Sequence, residues 1–246
     1  MSDLVIAHLY PYEMNIYGDT GNVIALRRRL EWRGIGVRVE AVPVGSAFDF
    51  GEADLVFGGG GQDRSQLEVA ADLQRRSAAI VDAVEAGTVF LTICGTYQLF
   101  GRRFLTQEGD EIPGIGVFDA ETIGGRRRMI GNIVIDTEWG SLVGFENHSG
   151  RTFLDPGQRS LGRVRKGFGN NERRRDEGAV VSNCFGTYLH GSLLPKNPHF
   201  ADHLLKLSLQ RKCGDISLSR LDDTIEMQAH EAMVRRLSLR RMPWTK

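Results

Sequence analysis

Thr88-Val-Phe-Leu-Thr-Ile-Cys94-Gly95-Thr96-Tyr97-Gln98 is the stretch on which the fold turns. An apolar run ends in a cysteine, a glycine follows, and a helical pattern begins over about Thr96 to Arg103. Buried strand, sharp turn and helix start are the parts of a nucleophile elbow, with the thiol at the apex. The Gly95 N–H then points toward a developing oxyanion, and the positive end of the next helix favours a thiolate. The bland alternative is a buried structural cysteine at a strand end.

Working outward, Leu4–Leu9 reads as an apolar strand, and Tyr10–Gly21 as a loop. Asp19 or Thr20 caps a helix running from near Asn22 to about Arg33, closed by Gly34. Val37–Val42 and Ala53–Phe57 are the next strands, and the second opens into Gly58-Gly59-Gly60-Gly61-Gln62-Asp63. Glycines at a strand's carboxyl end allow positive φ and close approach of backbone to a ligand, so the run reads as an oxyanion loop. Ser65–Glu85 is a long amphipathic helix closed by Gly87. The order β-α-β-β-α-β-α predicts an α/β fold: an open, mainly parallel sheet with helices on both faces. Ligands of such sheets sit at the carboxyl ends of the strands, where both Cys94 and the glycine run fall.

After Gln107 the style changes to short strands and glycine. Strands are predicted at Gly114–Phe118, Ile130–Asp136, Leu142–Glu146 and Ser160–Val164, in antiparallel or mixed pairs over part of the site, and Ala179–Asn183 is another apolar strand. Lys166–Asn171 and Arg173–Gly178 read as exposed loop. Helices close the chain at Asn197–Cys213 and about Asp222–Leu239, followed by a basic tail. There is no internal repeat or low-complexity linker, so residues 1–246 read as one domain.

Lys plus Arg and Asp plus Glu both number 31, so no global field favours nucleic acid or an anionic membrane. Arg27–Arg29, Arg126–Arg128 and Arg173–Arg175 read as solvated faces or loops. Cys94, Cys184 and Cys213 stand apart with no C-x-x-C, against a disulfide framework or a metal site. No signal peptide or long apolar span is read, and a free reactive thiol suits a reducing compartment; a cytoplasmic location is expected. His190 follows a run of strand character and precedes Gly191. Cysteine and histidine distant in sequence can meet in space, where the imidazole forms the thiolate and later protonates a leaving amine. Elbow cysteine, glycine loop and late histidine, in that order, suggest acyl transfer from an amide.

Cys94-Gly-Thr-Tyr-Gln98 resembles the elbow of the class I, triad-type glutamine amidotransferases, and Gly58–Gly61 resembles their oxyanion strand. Gly186-Thr-Tyr-Leu-His190-Gly191 resembles the histidine segment of the cobyric acid synthase-like branch. Asn15-Ile-Tyr-Gly-Asp-Thr-Gly-Asn22, Gly58-Gly-Gly-Gly-Gln-Asp-Arg64 and Gly131-Asn132 look more narrowly like the GatD-type glutaminase subunits of lipid II isoglutaminyl synthase.

The resemblance implies the roles that follow. Cys94 attacks the glutamine carboxamide and His190 is its base. The N–H groups of Gly95 and Gly60 hold the oxyanion, and Gln98 helps hold glutamine. Arg128 takes the glutamine carboxylate through a bidentate contact. No metal is expected in this chain. Ammonia passes to a Mur-ligase-like synthetase subunit (MurT), which carries ATP and Mg and amidates the D-glutamate of the lipid II stem peptide; the acceptor is membrane-bound. Many class I members follow the histidine with Pro-Glu, the Glu orienting the imidazole. Here Gly191-Ser192 follows, so the third role is empty locally; a distant acid, water or another chain is left to fill it, and of these a partner carboxylate at the far nitrogen of His190 is expected. Three alternatives stay open: an amidotransferase for another ligase such as a cobyrinate amidating system, a non-catalytic scaffold subunit, and a stand-alone thiol hydrolase of similar fold.

Overall fold

A computed structural model describes residues 2–214 and 216–239, leaving aside the side chains of residues 63, 64 and 239; the basic tail after Leu239 lies outside the described residues. Its first half runs β1 (Leu4–Leu9), α1 (Thr20–Glu31), β2 (Val37–Val42), β3 (Leu55–Gly58), α2 (Asp63–Glu85), β4 (Val89–Ile93) and α3 (Gly95–Phe100). Next come β5 (Arg103–Leu105), β6 (Glu111–Pro113), β7 (Ala120–Thr137), β8 (Gly140–Leu154), β9 (Gly162–Lys166) and β10 (Asp176–Glu177). The chain then returns through β11 (Ala179–Val181) and β12 (Cys184–Thr187) to α4 (Pro198–Cys213) and α5 (Thr224–Leu239).

The first sheet has the order β11-β12-β4-β3-β1-β2. All neighbours pair parallel except the edge pair β11–β12. The step β1 to β2 goes one way along the sheet and β3 to β4 the other. With right-handed crossovers, α1 and α2 therefore lie on opposite faces. The reversal between β1 and β3 makes the switch point at which such sheets bind ligands. Every residue of β1, β3, β4 and β12 is buried, and for this reason these runs are continuously apolar rather than alternating.

The second sheet, β10-β9-β7-β5-β6 with β8 on β7, is dominated by the antiparallel β7–β8 ribbon. The separate short strands expected at Ile130–Asp136 and Leu142–Glu146 belong to this one ribbon. An irregularity between Gly124 and Met129 breaks its alternation and throws Arg126–Arg128 outward. The strand expected at Gly114–Phe118 does not form. Its backbone turns back onto the end of α3, Ile115 N–H donating to Leu99 O and Gly116 N–H to Gly101 O, with Gly116 at φ 69°. α3 is correspondingly short; Gly101 ends it before Arg103, which belongs to β5.

One arginine cluster departs from a solvated face. Arg27 and Arg28 lie outward, but Arg29 is buried and forks onto Asp202 (2.7 Å) and Asp223 (2.6 Å). That ion pair ties α1 to α4 and to the approach to α5. A hydrophobic core extends from the first sheet through α3 into β7 and β8.

Candidate active site

Four adjacent strands of the first sheet end at one place. Asp19 lies in the loop after β1, Gly59–Gly61 follow β3, Cys94 follows β4, and His190 follows β12. Cys94 has φ 51° and ψ −104°, a left-handed conformation that a side chain adopts only where its surroundings hold it. Its N–H donates to Thr187 O at 2.8 Å, which locks the apex to the strand carrying the histidine.

The glycine run serves close packing and not positive φ, since none of Gly58–Gly61 has φ above zero. A Cβ on Gly58 would meet Thr96 at 2.5 Å, and one on Gly59 would meet Met14 O at 2.4 Å. On Gly60 it would meet the His190 ring at 2.4 Å, and on Gly61 the Met14 sulfur at 2.3 Å. The Gly60 N–H donates to Asp19 Oδ2 at 2.7 Å. It is therefore committed elsewhere, and the expectation that Gly60 serves the oxyanion is corrected. The Gly61 nitrogen stands beside Gly95, 3.0 Å from where a Cβ on Gly95 would be, and Gly61 with Cys94 lines the cleft. Gly61 is thus the glycine of the run that stands beside Gly95 in the cleft.

His190 is fully buried, held by reciprocal backbone bonds to Phe145 (2.7 and 3.1 Å) and met edge-on by the Tyr17 ring at 5.1 Å. Its Nδ1 lies 3.1 Å from both carboxylate oxygens of Asp19. Within this chain the carboxylate beside that nitrogen is that of Asp19, so an acid distant in sequence stands where the local His-Gly-Ser run offers none. Asp19 occupies the N-cap position of α1 but makes no side-chain cap bond. Its oxygens serve His190 and Gly60, and Asn15 Oδ1 takes the Thr20 N–H instead (3.0 Å). Two ties align the segments: Ser192 Oγ donates to Gly18 O at 2.7 Å, and Leu194 N–H to Asn22 Oδ1 at 2.9 Å. Burial opposes a charge on His190, but Cys94 and Asp19 outweigh it and push its pKa up to about 10. An imidazolium between a carboxylate and the Cys94 sulfur is the arrangement that supports a nucleophilic thiolate.

The cleft in front of Cys94 has a volume of about 360 Å³. Arg128 and Asn147 form one lip. Arg128 donates Nε to Asn147 Oδ1 and Nη2 to Asn147 O, each at 2.9 Å, and Asn147 donates to the Tyr17 hydroxyl at 2.7 Å. Gln98 is in the wall, accepting from Gln66 at 2.9 Å and donating to the Tyr188 hydroxyl at 3.1 Å. The other two thiols are elsewhere. Cys184 is buried in β12, where burial pushes its pKa well up, and Cys213 is exposed at the end of α4. Gln66 and His148 also line the cleft. Neither was picked out from sequence, the first hidden in a polar helix start and the second in the middle of a strand.

Residues 5–198 match the model of the CobB/CobQ-like glutamine amidotransferase domain. The chain belongs to that family. It is a glutamine amidotransferase. It is 40% identical over 237 residues to the lipid II isoglutaminyl synthase (glutamine-hydrolyzing) subunit GatD of Staphylococcus aureus, covering 96% of this chain and 97% of that one. It is also 40% identical to the protein of the same name from Streptococcus pneumoniae, over 93% of this chain and 89% of that one. A probable cobyric acid synthase of Methanococcus maripaludis is 34% identical over 58% of this chain, but over only 30% of its own length. Among solved structures, a glutamine amidotransferase from Thermotoga maritima aligns with TM-score 0.56 at 14% identity, over 98% of this chain and 100% of that one. The glutaminase domain of a Trypanosoma brucei CTPS aligns with TM-score 0.52 at 12% identity, over 88% and 96%. These likenesses carry the fold. Among the described residues no helix is long and apolar enough to cross a membrane.

Proposed function

We propose that this chain is the glutaminase subunit of a cytoplasmic lipid II isoglutaminyl synthase. The observation that carries the chemistry is the buried Asp19–His190 pair behind Cys94, at the end of a cleft lipped by Arg128. The near full-length identity to the GatD subunits supports the acceptor. The Cys94 sulfur attacks the carboxamide carbon of L-glutamine, and the N–H groups of Gly95 and Gly61 receive the oxyanion. His190 gives its proton to the leaving nitrogen, the C–N bond breaks, and ammonia departs from a thioester. Water, losing a proton to His190, then releases glutamate and the free thiol. Arg128 takes the α-carboxylate. Ammonia passes to a Mur-ligase-like synthetase subunit that holds ATP and Mg and activates the D-glutamate carboxylate of the stem peptide.

The test is transfer of label. With amide-¹⁵N glutamine, ATP, lipid II and the synthetase subunit, label enters the stem peptide as D-isoglutamine. Cys94→Ser abolishes this but leaves synthesis from ammonium salts. If the assembled complex hydrolyses no glutamine, the reading is wrong.

A further inference from the structure

Two buried side-chain acceptors in the wall of the cleft have no hydrogen-bond partner among the described residues: His148 Nε2 and Gln66 Oε1. Each residue is 2% exposed. Neither is loosely held. The His148 ring lies flat on Tyr188, centroids 3.5 Å apart and planes 6° from parallel. Its Nδ1 donates to Gly150 O at 2.8 Å, which leaves Nε2 bare as an acceptor. Glu146 Oε2 is 3.9 Å from Nε2, beyond hydrogen-bond reach, and the Glu146 oxygens already accept from the N–H groups of Phe168 and Gly169. Burial holds His148 below the usual histidine range despite Glu146, so the ring is neutral. Gln66 spends its amide N–H on Gln98 Oε1, and Gln98 in turn donates to Tyr188. The direction of Gln66 Oε1 is therefore set by the same network that seats His148.

Buried acceptors without a donor cost free energy, and a ligand bringing a donor recovers it. The chemistry of the substrate limits which donor that is. Its carboxamide must lie at Cys94, and its α-carboxylate at Arg128. Arg128 clasps Asn147, and the next residue along the ribbon, Met129, pairs directly with His148. An α-ammonium is attached to the carbon that bears the carboxylate, so its acceptors must stand next to the guanidinium. We propose that His148 Nε2 and Gln66 Oε1 together accept the α-ammonium of the donor, making the site select α-amino amides over simple amides. This rests on the glutaminase reading. Gln98 acts through Gln66 as a positioning residue in this scheme.

The experiment uses the assembled complex and two donors, L-glutamine and its desamino analogue, glutaric acid monoamide, the latter as substrate or competitive inhibitor. His148→Phe keeps a flat ring on Tyr188 and loses Nε2, Gln66→Met keeps the length and loses Oε1, and His148→Gln keeps an acceptor. The expected result is a rise in KM for L-glutamine of roughly tenfold or more in His148→Phe and Gln66→Met, with kcat within about threefold. Affinity for the monoamide changes less than about twofold, so the preference for the α-amine collapses, and His148→Gln recovers part of it. Equal losses on both donors, or a fall in kcat with KM unchanged, would overturn the proposal and leave these residues as packing or leaving-group contacts. A wild-type complex that turns over neither donor would instead overturn the glutaminase reading itself.

Discussion

Asp19→Asn is the substitution that tests the catalytic geometry most directly. The carboxylate accepts from Gly60 N–H at 2.7 Å and from His190 Nδ1, which is 3.1 Å from both oxygens. In the variant the Gly60 N–H still requires an oxygen on its side. The amide nitrogen then stands where Oδ1 stood, opposing N–H to N–H at His190. Relief comes from the other tautomer, with Nδ1 bare and the proton on Nε2, the nitrogen that must accept from Cys94. The charge that helps hold the His190 pKa near 10 is also gone, and burial then lowers it. The same change in the serine-protease triad costs about 10⁴ in turnover. A loss on the order of 10³ to 10⁴ in glutaminase kcat is expected here, with the pH dependence of Cys94 alkylation changed in parallel. Steady-state glutamate release by the complex is the assay, and ammonia-driven synthesis the control for folding. A loss below about tenfold would refute the assignment of Asp19 and return the third role to another chain.

Three further outcomes are expected. A glutamine-like electrophile should label Cys94 and spare Cys184 and Cys213, as peptide mapping would show; label on Cys184 would sink the nucleophile assignment. Arg128→Ala removes a charged contact of about 1.5–3 kcal/mol, so kcat/KM for glutamine should fall roughly 10- to 150-fold while ammonia-driven synthesis is kept. If both routes fail alike, Arg128 serves the partner. Glu177 is fully buried, and burial pushes its pKa up to about 8 against bonds from Tyr188 N–H (2.6 Å) and Thr187 Oγ1 (3.1 Å). The folded protein therefore holds this proton up to about pH 8, whereas the unfolded chain releases it near 4.5. Stability should fall as pH rises between those values, by on the order of a few kcal/mol. Glu177→Gln should flatten that fall in guanidinium midpoints from pH 5 to 9, and a pH-independent difference between the two proteins would refute it.

The fold was legible where burial makes strands continuously apolar and glycine punctuates them. The runs at Leu4 and Val89 needed no tertiary information, whereas the stretch read as one strand at Ala179–Asn183 turns after Val181 and starts a second strand at Cys184. The second sheet was harder to read, because the outward bulge at Arg126–Arg128 interrupts the alternation of β7 and makes one long strand look like several. Cys94 and His190 could be found from the elbow and the strand end. Asp19 could not: an aspartate just before a helix reads as a cap, and its use lies 171 residues away. For Gly60 the family resemblance implies a donor role toward the oxyanion. Only the structure places Asp19 against that N–H.

The order of the strands explains why one loop does two jobs. β12, β4, β3 and β1 are neighbours in that sequence, so histidine, cysteine, glycine run and aspartate leave the sheet side by side. The aspartate arrives from the strand farthest from the histidine and crosses the glycine loop to reach it. Along this path it meets Gly60, whose missing side chain lets the His190 ring pass at a distance no Cβ would allow. The Gly60 bond fixes the carboxylate, and the carboxylate fixes the imidazole. The glycine loop thus both anchors the acid and makes room for the base. Substitutions at Gly60 should therefore damage deacylation and acylation together, whereas changes at Arg128 should act on glutamine binding alone.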